Sequence, residues 1–268
     1  MERSLGLVGA PNARDLGGLV TADGWRVRPG ILLRAPALGR LADRDVAVLA
    51  GLGPAYVVDL RDASEIADAP PDRLPAAPAP VVRHLPLFDP RHPVFTYLSA
   101  VLQGHHGEGY QGLREQGTPT AMCAVYRWFV ADPRAEAGLA AAVRTVLSAR
   151  GAPVLYHCSA GKDRTGWLSV VLLTALGVPH EVAVEDYLAT NDYARAPNTA
   201  ILNAMRARGM TVDEAEVLPV FEAREEYLAA ALDEVGQRYG DMDGYLRTGL
   251  GLTGEEIDML RELLLYRG

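Results

Sequence analysis

With 268 residues, 49% of them hydrophobic and 22% charged, the chain is long enough for one large domain and has the balance of a globular protein, not a disordered or collagen-like one. Its formal net charge of -8 argues against a body that holds nucleic acid by counterion release, and no run reaches the roughly 18 uncharged apolar residues of a membrane helix. Cys123 and Cys158 are too few for a disulfide framework or a zinc ribbon, and Met1–Pro11 does not read as a signal peptide, so a cytoplasmic, reducing location is expected.

In chain order, Gly17 and Gly18 mark a turn, and β-rich runs follow at Ile31–Arg34, Tyr56–Leu60, Val81–Leu87 and Val154–His157. Helical patterns fall at Asp43–Leu52, Thr120–Ala131, Arg134–Ala149 and Thr165–Leu176. Ala69–Pro80 is a Pro/Ala stretch, and the Gly-rich piece Gln103–Pro119 reads as a mobile surface loop or a helical insertion. From His180 onward the chain is almost wholly helical, most clearly over Glu222–Tyr239 and Gly254–Leu265. Near-continuous apolar strands alternating with helices imply an α/β fold, a mainly parallel sheet flanked by helices. Residues 1–268 read as one domain, with a helical hairpin over Asn198–Leu228 (a lid of approximately 198–230) laid on the sheet's carboxyl edge.

Chemistry concentrates in His157-Cys158-Ser159-Ala160-Gly161-Lys162-Asp163-Arg164-Thr165-Gly166, which follows an apolar strand and opens an apolar helix. A Cys with an Arg six positions on has about a 0.2 chance of arising in this composition, so the bare spacing decides little. Adding the flanking His, Gly and Thr-Gly lowers that to on the order of a few per million, and the strand–loop–helix setting is a separate check. Such a loop turns successive backbone N–H groups of Ser159, Ala160, Gly161 and Lys162 into a nest for a tetrahedral dianion, helped by the positive end of the following helix. Gly161 supplies a backbone conformation costly for other residues, and Arg164 a planar fork for two phosphate oxygens. The same positive field favours the thiolate of Cys158, a nucleophile that would form a cysteinyl-phosphate, and Thr165 can donate its hydroxyl to the departing sulfur. All 26 basic residues are Arg except Lys162, which stands inside this loop, where a compact ammonium can suit a crowded anion pocket.

A leaving alcohol or phenol needs a proton, and two carboxyl groups are placed to give it. Asp163 lies within the loop; Asp89 lies in the turn after the strand Val81–Leu87, at the sheet edge where active sites gather. Asp163 is placed ahead of Asp89, the other being left to position water or support structure. His157 is expected to brace the loop by a hydrogen bond. Arg14, Asp15, Asp59 and Arg61 read as ties between strand ends, Cys123 as a small core residue, and Asn191 as a helix cap. Tyr126, Arg127 and Trp128 either line the pocket or pack. Adjacent His105 and His106 face different ways on any regular element, and no metal site is expected.

These residues resemble the cysteine-dependent tyrosine phosphatase superfamily, whose signature is His-Cys, five residues, then Arg-Thr/Ser. The loop is similar to that of the bacterial branch that includes mycobacterial tyrosine/lipid phosphatases. Asn12-Ala13-Arg14-Asp15-Leu16-Gly17-Gly18, Val57-Val58-Asp59-Leu60-Arg61 and Asp186-Tyr187-Leu188-Ala189-Thr190-Asn191 also match that branch, as does the tail from Tyr245 to Leu264. The resemblance implies a parallel sheet flanked by helices, a helical lid, catalysis without metal or cofactor, and Asp163 as the acid. It also implies a substrate-facing Lys162, since tensin-type lipid phosphatases place Lys at that point. Here Ser159 and Ala160 stand where the tensin-type loop carries a second Lys.

The expected activity is therefore phosphate-monoester hydrolysis of the tyrosine or dual-specificity protein phosphatase type. A soluble phosphorylated metabolite or a phosphoinositide is the alternative substrate. A non-catalytic phospho-binding module is disfavoured because nucleophile and Arg are both present, and a sulfur-transfer role because Lys-Asp-Arg-Thr-Gly runs straight into a helix. The expected partner is a phosphorylated substrate, protein or metabolite, and not nucleic acid.

Overall fold

β6 (Val154–His157) is the central strand of a five-stranded sheet in order β1-β3-β6-β4-β5. The computed structural model describes residues 3–89, 91–103, 115–210 and 212–268. β3 (Leu32–Ala35) and β4 (Tyr56–Asp59) flank β6 in parallel, and β5 (Val81–His84) extends β4 in parallel. β1 (Arg14–Asp15) pairs antiparallel with β3, and a separate ribbon joins β2 (Arg26–Val27) to β7 (Leu265–Tyr266) near the end of the chain. The mainly parallel α/β sheet is as expected.

Strand parity divides the core. Leu32, Val58, Val154 and Tyr156 face a large helical layer, whereas Leu33, Ala35, Val57 and Leu155 face α1 (Asp43–Leu52) and the N-terminal segment. On the larger side, α5 (Pro133–Ser148) starts on a firm cap: Asp132 accepts from the Arg134 and Ala135 amides, and Pro133 sits where no N–H is needed. α6 (Asp163–Ala175) is apolar all round, with Trp167, Leu168, Val171 and Leu172 fully enclosed, which makes it the central helix of that layer. α10 (Glu225–Tyr239) packs along α4 (Thr118–Ala131) outside it, and α11 (Gly254–Leu264) closes the end against α5.

Several boundaries differ from the sequence reading. β5 stops at His84 instead of Leu87, because Pro86 has no N–H to continue a ladder. The helix expected over Glu222–Tyr239 begins later: Glu222 ends α9 (Glu214–Phe221), Arg224 is extended, and α10 begins only at Glu225. α3 (Pro93–Leu102) went unassigned, although Val94, Phe95, Leu98 and Val101 form its buried face. Of the expected loop over Gln103–Pro119, positions 104–114, His105 and His106 among them, lie outside the described residues, and α4 begins at Thr118. In place of one hairpin over Asn198–Leu228, α8 (Thr190–Ala207) and α9 meet above the carboxyl end of β6, reached through α7 (His180–Leu188). No helix among the described residues is long and apolar enough to cross a membrane.

Candidate active site

Because β6 lies between two parallel partners, the chain leaving its carboxyl end emerges at the middle of the sheet edge, where Cys158 and the loop to Asp163 stand. The loop can pass so close to β3 only with glycine at position 161. Its φ is +67°, and a Cβ there would lie 2.6 Å from both the Ala35 carbonyl oxygen and the Pro36 nitrogen. Asn12 Nδ2 donates to the carbonyls of Ala160 (3.2 Å) and Gly161 (3.1 Å), and Arg34 Nη2 donates to that of Gly161 (2.9 Å). Since C=O and N–H of one peptide point in opposite directions, pulling these carbonyls back turns the amides that follow them the other way.

Behind this anchorage lies a buried charge cluster. Asp186 receives Arg3 Nη1 at 2.5 Å, Arg14 Nε at 3.1 Å and Arg34 Nη1 at 2.6 Å, and Arg14 also donates to Asn12 Oδ1 at 2.5 Å. Burial alone would raise the Asp186 carboxyl, but the three guanidiniums outweigh it and hold it far below the usual carboxylate range. Burial, with Arg34 alongside, brings Arg14 down to about 10. The expected tie at Arg14 is thus a support for the loop itself.

Arg164 stands in the first turn of α6. Nη1 and Nη2 meet Glu65 Oε2 and Oε1 at 2.5 and 2.6 Å, Nη1 also reaches the Leu60 carbonyl at 3.3 Å, and the guanidinium lies 4.0 Å from the centre of the Phe88 ring. Glu65 is fixed from its own side. It is the third residue of α2 (Ala63–Asp68), in a capping box with Asp62, and it accepts Ser159 Oγ at 2.6 Å. Burial opposes its charge, yet the Arg164 hydrogen bonds and charge prevail and bring it down to about 2. The end of the Arg164 fork is therefore occupied, while Nε has no partner among the described residues.

Thr165 Oγ1 lies 3.2 Å from Cys158 Sγ, and both residues are buried. Of the two carboxyl candidates, only Asp163 stands at the cleft containing Cys158 and Arg164. Its Oδ1 accepts Tyr126 Oη at 2.9 Å and lies 3.3 Å from Lys162 Nζ. Asp89 is turned to the surface, paired with Arg134 (2.9 Å) and Arg91 (3.3 Å); the Arg91 amide and side chain chiefly hold it near 2. Lys162 does not line that cleft. Its ammonium donates to the carbonyls of Val220 (2.5 Å) and Glu222 (3.0 Å) at the carboxyl end of α9, and burial lowers its pKa.

His157 is enclosed, with Nδ1 3.3 Å from the Cys158 carbonyl and Nε2 3.5 Å from Asp72; burial holds its pKa down and favours the neutral ring. Asp59, Asp72 and His157 bring ligand-type atoms within 4.8 Å of one another, but Arg61 Nη2 already donates to both carboxylates at 2.7 and 2.5 Å. Trp128 packs, giving its Nε1–H to the Leu87 carbonyl, Arg127 is exposed, and Cys123 is only partly buried. Asn191 caps nothing. Its amide clasps the backbone of Ala223 on both sides at 2.8 Å.

The cleft over Cys158 encloses about 450 Å³ and has apolar walls from Phe88, Phe95, Leu98, Met122, Val125 and Phe221. Glu65, Asn12, Arg34 and Phe88 belong to the site and were not singled out for it by sequence. Asp62-Ala63-Ser64-Glu65 spells a helix start, which hides the reach of Glu65 across to the loop.

A cysteine thus stands at the carboxyl edge of the parallel sheet, an arginine in the helix turn that follows, and a glycine-bent loop joins them. The tyrosine phosphatase family model matches residues 5–266, and the chain belongs to that family. It is 34% identical to the triple specificity protein phosphatase PtpB of Mycobacterium tuberculosis, over 97% of this chain and 98% of the relative. It is 35% identical to a putative tyrosine-protein phosphatase of Cupriavidus necator, over 89% of this chain and 81% of the relative. A tyrosine-protein phosphatase of Nostoc commune is 28% identical, over 96% and 86% respectively. The protein is a phosphatase enzyme.

Proposed function

We propose that this phosphatase hydrolyses aryl phosphate monoesters, phosphotyrosine in proteins first among them, through a phosphoryl group held on Cys158. The observation that carries this reading is the cleft. Cys158, Arg164 and Asp163 share its floor, and Phe88, Phe95, Leu98, Met122, Val125 and Phe221 make walls suited to a flat apolar ring above the phosphate. Lys162, which an inositol phosphate would need, is tied to the carbonyls of Val220 and Glu222.

Phosphate oxygens are received by the loop amides from Ser159 to Lys162 and by the free Nε edge of Arg164. Cys158 Sγ attacks phosphorus, the S–P bond forms and the P–O bond to the phenol breaks. Asp163 gives its proton to the phenolic oxygen as it leaves. A water molecule then attacks phosphorus and its proton passes to Asp163. The S–P bond breaks, and Thr165 donates to the returning thiolate across the 3.2 Å contact. No step calls for a metal. The thiolate must stay reduced, which supports a cytoplasmic setting.

Comparing kcat/KM on a phosphotyrosine peptide with a panel of sugar, nucleoside and inositol phosphates tests the substrate. The peptide should lead by orders of magnitude, and a preferred metabolite would overturn the reading. Rapid acid quench should trap labelled phosphate on the wild-type chain and none on Cys158→Ser.

A further inference from the structure

Asp163 is not held by the loop alone. Tyr126, completely enclosed on α4, donates to its Oδ1 at 2.9 Å, and the Tyr126 and Tyr187 hydroxyl oxygens are 2.7 Å apart. A phenol has a single proton to give. Tyr126 spends its proton on Asp163, so Tyr187 must donate to Tyr126. The chain of donors therefore runs one way, from Tyr187 through Tyr126 to Asp163. Burial keeps both phenols from ionising, so they remain donors at any working pH. Oδ1 also has Lys162 Nζ at 3.3 Å, while Oδ2 has no partner among the described residues and Asp163 borders the cleft.

We infer that Tyr126 and Tyr187 are positioning residues for acid catalysis: they saturate Asp163 Oδ1 and leave Oδ2 to carry the proton to the leaving oxygen. The inference rests on Asp163 being the acid. An oriented acid matters most where the leaving group is poor, as with the alkoxide of phosphoserine or an unactivated phenol, and least where the leaving group is stable unaided. The two phenols are thus specificity determinants. They set how far activity extends from activated aryl esters toward alkyl esters, although neither is given a contact with substrate.

The test uses the full chain and its Tyr126→Phe, Tyr187→Phe and Asp163→Asn variants, each assayed on difluoromethylumbelliferyl phosphate, phenyl phosphate and a phosphoserine peptide. Tyr126→Phe should lower kcat/KM roughly tenfold or more on the two poorer leaving groups and less than about twofold on the activated ester. Inhibition by inorganic phosphate should stay unchanged. Tyr187→Phe should move the same ratio in the same direction by less. A loss of equal proportion on all three substrates, or no loss, overturns the inference, because a merely structural phenol cannot distinguish leaving groups. If Tyr126→Phe does not fold by its melting curve, the Tyr187→Phe ratio decides alone by the same criterion. Asp163→Asn separates the two levels. Without leaving-group selectivity in that variant, the acid assignment fails; with it, and with none in the tyrosine variants, only the inference fails.

Discussion

Glu65 grips Arg164 end-on, its two carboxylate oxygens 2.5 and 2.6 Å from the two terminal guanidinium nitrogens. One arginine edge is thereby spent on protein, and the other is presented to the cleft in a fixed plane against Phe88. Glu65 also receives Ser159, so α2, the loop after β6 and the start of α6 meet on one carboxylate.

Replacing Arg164 with Lys keeps the charge and removes the fork. Turnover of p-nitrophenyl phosphate and the affinity for vanadate should fall together, kcat/KM by on the order of a hundredfold or more. Loss of turnover with vanadate affinity intact would speak against the dual role.

The Glu65 carboxyl is depressed to about 2 in the folded protein from an ordinary 4.5. A depressed carboxyl contributes stability that is complete above the unfolded value and lost as pH falls through the folded one. The melting-temperature gap between wild type and Glu65→Gln should therefore be widest above pH 4.5 and should close between about 4.5 and 2. A gap of constant width across that range would contradict the pairing.

Thr165→Val removes the hydroxyl 3.2 Å from Cys158 Sγ while keeping the side-chain shape. The step that releases sulfur should slow more than the step that charges it. Stopped-flow with p-nitrophenyl phosphate should show a burst of one equivalent absent from the wild type, and EDTA should change neither trace.

Asp186→Asn leaves Arg14 and Arg34 buried without their counter-charge. Removing one partner of such a pair costs about 3–5 kcal/mol, measured by urea unfolding. Because Arg34 and Asn12 hold the Ala160 and Gly161 carbonyls, phosphate affinity should weaken as well.

Local chain chemistry made much of this protein readable in advance. Near-continuous apolar runs announced β3, β4 and β6, and the segment from His157 to Gly166 announced the strand–loop–helix turn that brings Cys158, Asp163 and Arg164 to one cleft, because those residues are neighbours in one loop. Partners supplied from far along the chain were invisible. Glu65 reaches Arg164 over 99 positions, Tyr126 reaches Asp163 over 37, and Arg34 reaches Gly161 over 127. Lys162 and Asp89 show the same gap between residue type and role. The first, expected at the substrate, is satisfied by carbonyls at the end of α9, and the second, a candidate acid, is ion-paired at the surface. A hydrogen bond or ion pair depends on which groups folding brings within about 3 Å, and that proximity belongs to the packed sheet and helices, not to spacing along the chain.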